Sequence, residues 1–123
     1  MSTEAGLRIA LFEDDPQSLE RMLGVYGYSV LGLAVNMQEA QLLTQQLNEK
    51  KIQVALVDGN LSPGQHSNEE GARIVTWARN NSPEVITIGI ASIGDVIGAH
   101  YNFQKMYGPQ ALLRALEEIA QRK

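Results

Sequence analysis

The sequence predicts an α/β protein in which helices cover both faces of a parallel β-sheet. Short apolar segments of strand length alternate with segments whose apolar residues recur at helical spacing. The alternation continues along the whole chain, which is typical of successive strand–helix–strand units. The segment 52–57 is almost continuously apolar and therefore indicates a central strand that is buried on both faces.

The length and composition favour one domain and exclude several kinds of function. A chain of 123 residues is long enough to bury a core of its own. It has no cysteine, which excludes disulfides and cysteine metal sites, and its net charge of -4 with dispersed basic residues argues against nucleic-acid binding. We find no signal peptide and no apolar stretch of the ~20 residues that span a bilayer. We expect one cytoplasmic domain over 1–123, with a flexible tail at 1–6.

The individual elements follow from apolar spacing and from capping residues. Five strands are predicted at 7–12, 28–34, 52–57, 85–91 and 101–104, and long helices at 15–27, 36–47, 69–79 and 109–121. Asp15 and Pro16 suit the first cap and first turn of a helix, and Asn36 with Glu39 resembles a capping box. The segment 93–100 leaves room only for a shortened fourth helix.

Polar residues follow four of the predicted strands. Glu13 and Asp14 follow the first strand, Asp58 the third, Ser92 the fourth and Lys105 the fifth. The carboxyl ends of parallel strands lie at one edge of the sheet, where such folds carry their functional sites. We therefore expect these side chains to converge.

Three converging carboxylates suggest a metal site that serves phosphoryl chemistry. Like charges at short range raise each other's pKa, and a hard cation such as Mg2+ relieves that repulsion. A metal and an ammonium group can together stabilise a phosphoryl group during its transfer, and an aspartate can accept it as an acyl phosphate. Asp58 is the best-placed acceptor.

Each of these residues also has a purely structural interpretation. Asp58 could be a turn former after a strand, 13–15 could be capping carboxylates, and Lys105 could be a surface lysine. Their coincidence at one edge favours a site. His66 and His100 are expected to be solvated loop residues.

Three segments occur in an informative order. They are LFEDDP at 11–16, VALVDGNLSPG at 54–64 and GAHYNFQKMYGPQALLRAL at 98–116. With them the chain resembles, from 7 to 122, the receiver domain of response regulators in two-component phosphorelays. The resemblance implies a flavodoxin-like, doubly wound α/β/α fold with five parallel strands in the order 2-1-3-4-5.

The resemblance also implies roles for individual residues. Asp58 would accept a phosphoryl group from a sensor histidine kinase, a phosphotransfer protein or a small phosphodonor. Mg2+ would be held by Glu13, Asp14, Asp58 and the main-chain carbonyl of Asn60, and Lys105 would contact the phosphoryl oxygens. Phosphorylation would control the binding of a downstream protein, and the chain could also form a homodimer. The chain would at most catalyse its own phosphorylation and dephosphorylation.

Several positions depart from the receiver pattern. Ala91 stands where receivers have Ser or Thr, with Ser92 one position later as the nearest hydroxyl. Asn102 replaces the usual aromatic residue, and Met106 replaces the proline after the lysine, so we expect a trans bond there. The loop 59–70 is roughly five residues longer than such loops usually are and could act as a lid or a specificity loop.

Three other functions compete with a phosphorylated receiver. A pseudo-receiver would be a protein-interaction module that is independent of phosphorylation. A small phosphohydrolase could use Asp58 as its nucleophile, although Asn60 cannot supply the second acid. A nucleotide-binding flavodoxin-like module would need a phosphate-binding glycine loop, and the sequence has none.

Overall fold

Five parallel strands form one sheet in the order β2-β1-β3-β4-β5. The computed structural model describes residues 6–122, so most of the tail predicted at 1–6 lies outside the described residues. The strands are β1 (Arg8–Phe12), β2 (Ser29–Ala34), β3 (Val54–Asp58), β4 (Ile86–Ala91) and β5 (Tyr101–Gln104). The five predicted strands and their order are confirmed, with shifts of one or two residues at some ends.

Four α-helices connect or follow the strands within residues 6–122. They are α1 (Gln17–Val25), α2 (Met37–Thr44), α3 (Glu69–Asn81) and α4 (Gln110–Arg122), and a 3-10 turn occupies Lys105–Tyr107. Residues 92–100 contain turns and bends but no helix. The predicted shortened fourth helix is therefore wrong, because Gly94 and Gly98 have φ values of +77° and +91°, which interrupt a right-handed helix.

The helix caps follow the predicted chemistry in one case and differ in the other. Asn36 accepts a hydrogen bond from the Glu39 backbone N–H at 2.8 Å, and the Glu39 carboxylate accepts one from Val35 at 2.9 Å. The two bonds are reciprocal, which confirms the capping box. The bond to the Glu39 carboxylate comes from the N–H of Val35, one residue before the cap residue Asn36. The cap of α1 is Pro16 without a side-chain hydrogen bond, so the predicted capping by Asp15 is wrong.

Two cores lie on opposite faces of the sheet and hold it between helix layers. Ala10, Phe12, Ala55 and Val57 pack on the face that α2 and α3 cover. The alternate residues of the same strands pack on the other face with α1 and α4. Every residue of β3 is buried, as its continuous apolar sequence predicted. No helix in the described part of the chain is long and apolar enough to cross a membrane.

Candidate functional site

Three carboxylates meet at the carboxyl edge of the sheet. Glu13 and Asp14 directly follow β1, and Asp58 is the last residue of β3, the neighbouring strand. One carboxylate oxygen of each residue lies within 4.8 Å of the others. The backbone N–H of Glu13 donates a hydrogen bond to the Ala34 carbonyl at 3.0 Å, which fixes the chain where it leaves β1. Adjacent parallel strands therefore bring together residues that are 45 positions apart in sequence.

Lys105 completes the cluster from the end of β5. Its Nζ donates to Asp58 Oδ2 at 2.9 Å and lies 3.4 Å from Glu13 Oε1. The other oxygen of Asp58, Oδ1, accepts a hydrogen bond from the Asn60 backbone N–H at 3.1 Å. The Asp58 carboxylate is thus held at both oxygens, by an ammonium group and by a peptide group.

The protonation of the cluster reflects the burial of Glu13 and its closeness to Asp58 and Asp14. Burial, with hydrogen bonds to Asp58 and Asp14, raises the pKa of Glu13 from 4.5 to about 8. Burial acts to lower the pKa of Lys105, but the hydrogen bond and the negative charge of Asp58 outweigh it, so that pKa is raised. Without a cation, Glu13 therefore carries a proton at neutral pH while Lys105 remains charged.

The donor set fits a hard divalent cation. Glu13, Asp14 and Asp58 offer carboxylate oxygens at a spacing that one ion can bridge, and Asp14 is exposed, so the cluster is open to solvent. Burial is the main cause of the raised pKa of Glu13 and the negative charge of Asp58 adds to it, so a cation at this place would favour the ionised form of Glu13. Oxygen ligands of this kind suit Mg2+ or Ca2+.

A solvent-open cleft of about 300 Å³ lies over Asp58. Five of the six residues predicted at the site line it, namely Asp14, Asp58, Asn60, Ser92 and Lys105. The sixth, Glu13, lines the adjoining cleft beside α1 together with Lys105. Residues 62–66 of the long loop also line this cleft. The structure therefore brings all six predicted residues to one place, with room for a small anionic group.

Sequence comparison alone does not assign the chain to a family. No protein-family model matches the sequence, and a search of curated proteins found no match to it. Comparison of the fold is more informative.

Solved structures share the fold at about 20% sequence identity. A CheY-like receiver domain from Methanospirillum hungatei matches with a TM-score of 0.72 and 20% identity, covering 97% of this chain and 100% of its own. A signal receiver domain of a modulated diguanylate cyclase from Desulfovibrio desulfuricans matches with a TM-score of 0.74 and 21% identity, over 96% of both chains. This chain has the receiver-domain fold.

A third match contains a phosphorylated residue and a bound ion. It is a response regulator from Burkholderia pseudomallei with a phosphorylated aspartic acid, a calcium ion and citrate. Its TM-score is 0.71 at 20% identity, and the match covers 94% of this chain and 69% of that one.

The departures from the receiver pattern have visible structural consequences. Asn102, which stands at the aromatic position, binds the backbone of Val96 through both its amide atoms, at 2.7 and 3.3 Å. Ala91 is buried at the end of β4, and Ser92 is exposed at the cleft. The Lys105–Met106 bond is trans, as expected, since residues 6–122 contain no cis peptide bond. In this receiver fold, an asparagine fixes the segment after β4.

Glu70 anchors the long loop that precedes α3. Its Oε1 accepts hydrogen bonds from the backbone N–H groups of Leu61 and Ser62, both at 2.8 Å, and its Oε2 accepts one from the Ser62 hydroxyl at 2.6 Å. The Leu61 side chain is buried. The first part of the loop is therefore fixed, while residues 63–67 are exposed along the cleft.

Replacing Glu70 by glutamine is expected to loosen the loop without unfolding the protein. A neutral amide accepts these bonds less strongly and can place only one oxygen, so we expect a loss of about 1–3 kcal/mol of stability. Limited proteolysis within 61–67 should become faster, and the midpoint of denaturant unfolding should move to a lower denaturant concentration. Glu69→Gln, at the exposed neighbouring position, is the matched control. Equal proteolysis of both variants would contradict the anchoring role.

Two polar residues have structural roles that the sequence did not reveal. His100 is exposed in the loop before β5, as predicted, and its Nδ1 also accepts a hydrogen bond from the Thr87 backbone N–H at 3.0 Å. Burial and the charge of Arg79 lower the pKa of His100. Asn68 is buried in the left-handed conformation at the start of α3. The sequence signal for Asn68 was its position, since it is a polar residue directly before the helix predicted to begin at 69.

Proposed function

We propose that this chain is a phosphoacceptor receiver in a two-component phosphorelay, phosphorylated on Asp58 in the presence of Mg2+. The observation that carries the proposal is the hydrogen bond between Lys105 Nζ and Asp58 Oδ2 inside a cluster of three carboxylates. A turn-forming aspartate needs neither an ammonium partner nor two neighbouring acids. The combination is what an acyl phosphate at this position requires.

The chemical step is an attack by one Asp58 oxygen on phosphorus. A new P–O bond forms while the bond from phosphorus to the donor nitrogen or oxygen breaks, and the donor leaves with that electron pair. Lys105 is placed to bind an oxygen of the incoming group, and the Asn60 N–H holds the second carboxylate oxygen. The backbone N–H of Ser92, and its hydroxyl where it reaches, would bind a further oxygen at the cleft wall.

Mg2+ would be held by Glu13, Asp14, Asp58 and the main-chain carbonyl of Asn60. It would supply positive charge to the carboxylates and to the phosphoryl oxygens. The phosphorylated aspartic acid and the ion in the Burkholderia structure of the same fold support this assignment. The partners would be a sensor histidine kinase or a phosphotransfer protein, and a downstream protein that binds the phosphorylated form.

The test is intact mass spectrometry after incubation with acetyl phosphate, with Mg2+ or with a chelator. We expect a gain of one phosphoryl group with Mg2+, none with the chelator, and loss of the group on treatment with hydroxylamine, which cleaves acyl phosphates. A folded protein that gains no mass with any divalent ion would overturn the proposal.

A second function is favoured by one observation. Ala91 provides no hydroxyl at the end of β4, and Asn102 is already bonded to Val96, so the usual phosphorylation relay of the family is absent from these positions. A pseudo-receiver that binds a partner without phosphorylation has this property. The absence of any mass gain, described above, would favour it.

A further inference from the structure

The side chain of Asn68 joins two loops that flank the cleft. Its Oδ1 accepts a hydrogen bond from Asn60 Nδ2 at 2.9 Å, and its backbone N–H donates to Asn60 Oδ1 at 3.0 Å. Its Nδ2 donates to the carbonyls of Ile93 and Asp95, at 2.8 and 3.3 Å. The buried side chain of Asn68 therefore connects Asn60, two residues after Asp58, with the segment that follows β4.

The surroundings of Asn68 allow its side chain little freedom. A Cβ atom added to Gly59 would collide with Asn68 Oδ1, and one added to Gly94 would lie 3.3 Å from Asn68 Nδ2. The backbone of Asn68 has φ +63°, a conformation that asparagine and glycine tolerate best. With 8% of its surface exposed, the amide cannot exchange these partners for water without opening the loop.

Segment 92–97 is held between two amides. Asn68 binds the carbonyls of Ile93 and Asp95, and Asn102 binds the backbone of Val96. Ile93 and Ile97 project from this segment and are each 78% exposed. Because the segment has no helical hydrogen bonds, these side-chain bonds contribute much of what fixes its position.

We infer that Asn68 is a positioning residue that couples the Asp58 cleft to segment 92–97. The inference rests on the proposed function. The Asn60 N–H binds Asp58 Oδ1 directly, and forming an acyl phosphate removes the carboxylate charge that this N–H faces. A shift of Asn60 must move its paired partner Asn68, which in turn changes the bonds to Ile93 and Asp95. The two ends are thus linked by contacts that differ between the two chemical states of Asp58.

The test is hydrogen exchange of a peptide covering 92–97, measured with and without Mg2+ and acetyl phosphate. Intact mass is recorded on the same samples. In the wild type we expect the exchange rate of this peptide to change by about fivefold on phosphorylation, the effect of about one net hydrogen bond. In Asn68→Gly, which retains the positive φ, Asp58 should still gain its phosphoryl group while the response of 92–97 is lost.

A second variant and a control separate coupling from helix capping. Asn68→Asp retains the oxygen that faces Asn60 but lacks the NH2 group that binds Ile93 and Asp95, so it should also lose the response. Asn36→Gly removes the cap of α2 and should retain it.

A phosphorylated wild type with unchanged exchange at 92–97 would overturn the coupling and leave the proposed function intact. A response that persists in both Asn68 variants would do the same. A wild type that gains no phosphoryl group would instead overturn the proposed function, and the coupling with it.

Discussion

Replacing Asp58 by asparagine is expected to abolish phosphorylation of the chain. The amide has almost the same shape as the carboxylate but lacks a nucleophilic oxygen anion, so no acyl phosphate can form. Intact mass after incubation with Mg2+ and acetyl phosphate should equal that of the untreated variant. Under the same conditions the wild type should gain one phosphoryl group.

The Asp58→Asn variant should remain folded, which makes the loss interpretable. Its amide oxygen can still accept the hydrogen bond from the Asn60 N–H, and Lys105 still has Glu13 as a partner. Removal of the negative charge of Asp58 also reduces the repulsion that the Glu13 carboxylate experiences. The thermal stability of the variant without metal should therefore not fall. Asp15→Asn, an exposed carboxylate that follows the cluster, is the matched control and should be phosphorylated normally. Phosphorylation of Asp58→Asn would show that another residue accepts the group.

The strands of the sheet were predictable because the pattern that identifies each strand lies within a few consecutive residues. The strands at β1 and β3 are short apolar segments bounded by acids, and their order follows from the resemblance to receivers. The position of the site followed from the same pattern, since Glu13 and Asp14 directly follow β1 and Asp58 is the last residue of β3. Strand ends on one edge of a parallel sheet must converge, whatever the helices do.

The loops were less predictable because their structure depends on distant partners. Glu70 accepts bonds from residues eight and nine positions earlier, and Asn68 binds carbonyls 25 and 27 positions later. The spacing of apolar and polar residues in the sequence does not predict hydrogen bonds of this kind. The hydrogen bond of His100 was missed for the same reason, because its partner Thr87 lies on β4, 13 positions earlier. Polar residues in loops gain their roles only when the chain has folded around them.

The metal-free protein is expected to lose stability as the pH rises. The pKa of Glu13 is about 8 in the folded protein, whereas its ordinary value is 4.5. Between these values the folded state binds a proton that the unfolded state has released, so the stabilising contribution is complete below pH 4.5. It is lost progressively as the pH rises through 8. The total loss is up to about 5 kcal/mol in the free energy of unfolding.

Denaturant unfolding in the presence of a chelator, measured at several pH values, checks this dependence. The Glu13→Gln variant has no proton to release at this position as the pH rises. Its free energy of unfolding should therefore fall less than that of the wild type and should be the higher of the two at pH 8. Glu20→Gln, on an exposed position of α1, should behave as the wild type. His100 acts in the opposite direction, because its lowered pKa favours the folded state as the pH rises, and comparison of variants removes that contribution. Parallel pH profiles for the wild type and Glu13→Gln would show that Glu13 does not hold the proton.

The same profile measured with Mg2+ tests the metal site without any phosphodonor. A cation among the carboxylates favours the ionised form of Glu13, and a ligand that binds only the folded state stabilises it by RT ln(1 + L/Kd), where L is the free ligand concentration. Saturating Mg2+ should therefore remove most of the loss at high pH in the wild type. It should stabilise Glu13→Gln less, because that variant offers one carboxylate fewer. A wild-type profile that is the same with Mg2+ and with chelator would mean that the cluster is crowded with charge but holds no metal.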